Sequence, residues 1–75
     1  MSGGVPINRV ELVYRREKAV LSPKELAEKA GVAETVVYGL EAGYFSHARP
    51  STVRKLAAAL SIKADRLVDV QRRPR

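Results

Sequence analysis

Few side chains in this sequence are of the kinds that make or break bonds. The chain has one histidine, His47, and no cysteine. It has no glycine-rich loop to cradle a phosphate and no pair of carboxylates placed in an evident pocket, so His47 reads as a loop residue or phosphate contact rather than a general base. The chain is not expected to be an enzyme, and neither a cofactor nor a metal site is expected. What it has in excess is positive charge: 14 Lys and Arg against 8 Asp and Glu, a net +6 on 75 residues. That balance favours an acidic partner such as nucleic acid, with a merely well-solvated surface as the plainer alternative. The charge is unevenly placed. Residues 30 to 48 contain no Lys or Arg, so any positive charge that serves binding must lie around this segment.

The elements that must position these residues are helical. Apolar residues recur at helical spacing almost throughout, and no segment alternates with period two for long enough to suggest a strand. The length admits one small domain, near the size at which a single core is only marginally sufficient, and without Cys it must be held by packing alone. No run approaches the roughly 18 apolar residues of a membrane span, and the start MSGGVPINRV lacks the charged-then-apolar order of a secretory signal. A cytoplasmic, nucleoid-associated protein with no membrane partner is the expectation. Residues 1–6 are expected to be a flexible N-terminus, 7–70 the folded domain, and 71–75 a basic tail. There Arg72, Arg73 and Arg75 either follow DNA as a loose arm or are simply solvated.

Within the domain, a first helix is predicted over residues 7 to 18, with Ile7, Val10, Val13 and Tyr14 on one stripe and Arg9, Glu11, Arg15 and Arg16 on others. Ser22-Pro23-Lys24-Glu25 predicts a helix start by capping box, with Pro where no amide needs a partner. Leu26, Ala27 and Ala30 form the inner face of this second helix, Gly31 ends it, and Val32 is the apolar contact that follows such an ending. The third helix runs from about Ala33 to Ala42, with Val37 and Leu40 inward and Gly43 as its stop. Pro50-Ser51-Thr52 opens a fourth, which buries Val53, Leu56, Ala57 and Leu60. A fifth short helix, about 63 to 70, adds Leu67 and Val70. Small residues Ala27 and Gly31 allow the second and third helices to cross closely.

At this point LSPKELAEKAGVAETVVYGLEAG followed by RPSTVRKLAAALSIKADRL resembles the lambda-repressor-like, Cro/cI-type (XRE) helix-turn-helix domains. The matching residues include Leu21, Ser22, Glu25, Leu26, Ala27, Gly31, Val32, Val37, Leu40, Glu41 and Gly43, then Pro50, Thr52, Leu56, Ala57, Leu60, Ile62 and Leu67. The resemblance covers roughly residues 9 to 70, and the downstream helices fall in register with the motif. It implies an all-α, compact five-helix DNA-binding domain with its helix-turn-helix at about residues 22–42, dimeric on DNA, with helix three in the major groove. It also implies a partly buried ion pair between Arg15 and Glu41. The chain departs from the pattern at Pro23, where the family usually has a polar contact residue, and at Gly39, in the middle of the reading face. It departs again at Ala33, which lacks the Ser or Thr cap at a cost of about 1 kcal/mol.

Carried over position by position, the family's reading residues are Ala33, Glu34, Thr35, Tyr38 and Gly39. Glu34 can accept from a cytosine or adenine amine, Thr35 can hydrogen-bond or touch a thymine methyl, and Tyr38 can reach a phosphate or a base edge. For Glu34 the alternative is stabilisation of its own helix N-terminus, and for Tyr38 a plain surface aromatic. Phosphate contacts are expected from the rim: Lys24, Ser46, His47, Arg49, Arg54 and Lys55, with Lys24 and Arg49 foremost. Phe45 reads either as a core plug or as part of a dimer surface.

These readings imply a sequence-specific double-stranded DNA-binding protein, a small bacterial or phage regulator acting as a repressor and homodimeric at least on DNA. The alternative from another class is an antitoxin-like or anti-repressor module that turns Glu34, Tyr38 and Phe45 toward a protein partner. A recombination accessory factor is a variant of the DNA-binding reading.

Overall fold

Local signals decide where most of the helices start. The computed structural model describes residues 4–69. In chain order these form β1 (Val5–Pro6), α1 (Arg9–Lys18), α2 (Pro23–Ala30), α3 (Glu34–Ala42), β2 (His47–Ala48), α4 (Pro50–Ala59) and a closing 3-10 turn (Ala64–Arg66). The α2 start has the capping box read from the sequence: the Glu25 amide donates to Ser22 Oγ at 3.1 Å and the Ser22 amide donates to Glu25 Oε1 at 2.8 Å. Pro50 occupies the first turn of α4 in the same way that Pro23 occupies that of α2.

The start of α1 differs from expectation. Residues 7 and 8 are not helical because their amides are used elsewhere: Ile7 donates to the Ser46 carbonyl at 2.9 Å and Asn8 to the Leu67 carbonyl at 2.8 Å. Asn8 instead caps α1, its Oδ1 accepting from the Glu11 amide at 3.1 Å. An Asn followed three residues later by Glu was the sequence signal for that cap.

Two of the helices stop at glycine, at Gly31 with φ 76° and Gly43 with φ 89°, the left-handed geometry that a Cβ disfavours. After α1 the same turn falls on Val20, exposed and at φ 60°, an unusual conformation for a β-branched residue.

One core joins the elements. It takes Leu12 from α1, Leu26 and Ala27 from α2, Val37 and Leu40 from α3, the Val53, Leu56, Ala57 and Leu60 stripe from α4, and Ile7 and Leu67 from the flanking segments. Helix α3 packs against both α2 and α1, and α2 against α4. The buried faces of α2, α3 and α4 are those read from the sequence.

The α1 stripe is not. Leu12 is fully buried, whereas Val10 is 75% and Tyr14 51% exposed. With apolar side chains at 10, 12, 13 and 14, helix one offers two possible faces, and the one centred on Leu12 meets the bundle. The Tyr14 ring remains outside, where Arg15 and Lys18 stand 5.7 and 5.6 Å from its centroid.

Two further expectations are corrected. The fifth helix is only the 3-10 turn, which suffices to drop Leu67 into the core. Val5 and Pro6, placed in a flexible N-terminus, pair antiparallel with Ala48 and His47, and Ile7 bridges Val68. Two residues per strand are too short to show an alternating pattern, and the helical character of the fold is unchanged. Residues 1–3, Val70 and the tail 71–75, with Arg72, Arg73 and Arg75, lie outside the described residues.

Candidate nucleic-acid interface

The position of α3 is set at both ends of its inner face. Val37 and Leu40 are buried, and one residue further on Glu41 receives a two-point grip from α1. Arg16 Nε donates to Glu41 Oε2 at 2.6 Å and Nη2 to Oε1 at 3.0 Å, while Nη1 donates to the Leu21 carbonyl at 2.8 Å. The two side chains are 13% and 11% exposed, so the pair is well shielded from water and three polar groups are satisfied together. The hydrogen bond to Glu41 raises the Arg16 pKa above the usual arginine range against the opposing effect of burial.

The expected partner of Glu41 was Arg15, and this is corrected. Arg15 pairs with Glu11 on its own helix at 2.6 Å. Arg16 lies four residues after Leu12 and so shares its inward face, whereas Arg15 shares the outer face of Glu11.

With Val37, Leu40 and Glu41 turned in, α3 leaves Thr35, Tyr38 and Ala42 outward, all exposed. Ala33 is exposed at the N-cap with extended backbone and no side-chain cap bond, as read from the sequence, and Glu34 is half-buried in the first turn. Four of the five expected reading residues thus lie at the start or along one side of α3. Gly39 differs: it is buried, because the Phe45 ring lies directly on it. A Cβ at position 39 would overlap Cδ2 and Cε2 of that ring. Phe45 itself is 49% exposed, so it is not a core plug.

The residues expected to hold phosphates are all exposed. Lys24 is exposed in the first turn of α2, and Arg49 is exposed at the N-cap of α4. Ser46 and His47 are exposed between α3 and α4, with Ser46 Oγ 2.8 Å from His47 Nδ1. His47 and Arg49 share one shallow depression with Val36, Phe45 and Thr52. Arg54 and Lys55 are exposed on α4 away from its buried stripe. A contact missing from the sequence reading is Arg9, whose guanidinium lies against Gly43 at the α3 C-terminus, where cationic charge favours the helix dipole and a Cβ would collide with it. Among the described residues no cluster of His, Cys, Asp and Glu is placed to hold a metal, and no helix is long and apolar enough to cross a membrane.

A family model described as helix-turn-helix matches residues 12–67. Similar solved structures include two. One is the crystal structure of the master regulator for biofilm formation SinR in complex with DNA, 26% identical with a TM-score of 0.73, over 76% of this chain and 90% of that one. The other is the SinR protein/SinI protein complex, 28% identical with a TM-score of 0.77, over 81% of this chain and 59% of that one, less than two-thirds of its length. No curated protein sequence matches. The match spans the two crossing helices, the Arg16–Glu41 anchor and the α4 stripe. The chain belongs to the Cro/cI-type (XRE) helix-turn-helix family of DNA-binding transcription regulators.

Proposed function

We propose that the chain is a sequence-specific binder of double-stranded DNA that represses by occupying an operator, with α3 in the major groove. The observation that carries this reading is the division of α3 into an anchored and an open side. Val37, Leu40 and the Arg16–Glu41 pair hold the helix, while Thr35 and Tyr38 remain exposed, and His47 and Arg49 line a depression together with Val36 of the same helix. Ala33, Glu34, Thr35 and Tyr38 discriminate bases. Lys24, Ser46, His47, Arg49, Arg54 and Lys55 hold phosphates, so most of the affinity is electrostatic and sequence-independent. Binding as a homodimer places two half-sites about one helical turn apart.

Selection from random duplexes, followed by binding of the enriched site across a salt series, tests this. A defined motif is expected, with affinity falling steeply as salt rises. Arg49→Ala weakens all sequences alike and reduces the salt slope by about one, whereas Glu34→Ala changes base preference more than affinity. Failure to enrich any motif, with weak binding even at low salt, sinks the reading in favour of a protein-interaction module.

A further inference from the structure

We propose that Phe45 is a specificity-determining residue that contacts the C5-methyl group of a thymine, and that Gly39 is the seat that positions its ring. The inference rests on the DNA-binding reading of α3. Thr35 and Gly39 are four residues apart and share a stripe of that helix. The Phe45 ring covers Gly39, and the Phe45 amide donates to the Gly39 carbonyl at 3.1 Å, so the residue is tied to the helix through its backbone. A side chain reaching back from the following loop thereby occupies the place that a residue at position 39 would fill on the Thr35 stripe.

Three observations fit this role. The ring is half-exposed, at 49%, so part of its apolar surface faces outward rather than into the core. Glycine is required beneath it, since any Cβ at 39 would displace the ring. The ring also borders the depression of about 330 Å³ that it shares with His47 and Arg49, so groups able to hold a phosphate flank it. An apolar ring between a reading helix and a cationic rim calls for an apolar group on the duplex, and the thymine methyl is the one that the major-groove edge offers.

The test uses the duplex selected by the full wild-type chain, with each thymine replaced in turn by uracil, which removes the methyl group alone. Wild type is expected to lose about fourfold in affinity at one thymine per half-site, the worth of one buried methyl group. Phe45→Ala loses a similar factor on the thymine duplex and is indifferent to uracil at that position. Gly39→Ala retains the phenyl ring but moves it, and gives the same insensitivity. Phe45→Leu keeps an apolar side chain and part of the discrimination. Circular dichroism confirms that each variant is helical. The proposal is overturned if Phe45→Ala binds within twofold of wild type, or if it loses affinity equally on thymine and uracil duplexes. Loss of self-association with DNA binding intact also overturns it, assigning the ring to a protein contact. A wild-type chain that enriches no motif fails at the earlier step and removes the DNA-binding reading with it.

Discussion

Helices α2 and α3 are similar in length, pack on one another and end in the same left-handed glycine turn, yet their starts and outer faces are built differently. Helix α2 begins with a complete capping box and Pro, and its outer face carries Lys24, Glu25, Glu28 and Lys29. Helix α3 begins at Ala33 with no side-chain cap bond, and its outer face is Thr35, Tyr38 and Ala42 with the Phe45 ring over Gly39. The first helix of the motif is specified by its own residues. The second is held mainly by what it packs against, through Val37, Leu40 and Glu41. The difference teaches that a surface helix can lack strong local signals when its inner face and C-terminal end are anchored from outside, which releases its outer positions for recognition.

The largest expected effect comes from removing that outside anchor. Arg16→Ala leaves Glu41 shielded without its charge partner and frees the Leu21 carbonyl, so a loss of about 2–3 kcal/mol is expected in chemical denaturation. Arg15→Ala, which breaks a partly exposed ion pair and a ring contact, both within α1, should cost less, about 0.5 kcal/mol. Equal losses from the two would mean that α3 is not held as described. Because the Arg16 pKa is raised in the folded state, its contribution is complete through neutral pH and is lost only as pH rises past the usual arginine range. The difference between the two variants should therefore be the same at pH 6 and pH 8.

Next in size is the local signal of α2. Ser22→Ala should lower stability by about 1 kcal/mol. The reciprocal change at the start of α3, Ala33→Ser, should raise stability by about 0.5–1 kcal/mol, because the backbone there already has cap geometry at φ −68° and ψ 142°. Thermal melts of the two variants check the pair, and an Ala33→Ser chain no more stable than wild type would show that α3 does not need a cap. The smallest effect is expected at the α1 turn. Val20→Gly relieves the left-handed strain but adds freedom to the unfolded chain, for a net gain of about 0.5 kcal/mol in the same melts.

Much of the fold was legible because its signals are short-range. The Ser22–Glu25 box, the stops at Gly31 and Gly43, the Pro50 start and the buried stripes of α2, α3 and α4 each depend on residues within about one turn or on a single periodicity. Helix one was legible in existence but not in phase, since Val10, Val13 and Tyr14 offer as good a stripe as the one around Leu12. The ion pair implied by the family resemblance was one residue off, because Arg16, four residues after Leu12, shares the inward face and Arg15 does not. Of the candidate site, the exposure of Thr35 and Tyr38 followed from the positions of Val37 and Leu40. The covering of Gly39 did not, because it depends on where a loop residue six positions later comes to rest.

The sequence by itself determined that the chain is a helical domain with a helix-turn-helix, where α2 and α3 begin and end, where α4 begins, and which of their faces turn inward. These follow from backbone hydrogen-bond satisfaction and apolar spacing, which act over a few residues. Only the tertiary structure decided the face of α1, the choice of Arg16 for Glu41, the pairing of Val5 and Pro6 with Ala48 and His47, and the seat of Phe45 on Gly39. Each of these joins segments separated along the chain, where the outcome depends on which surfaces can meet at once rather than on any pattern within one segment.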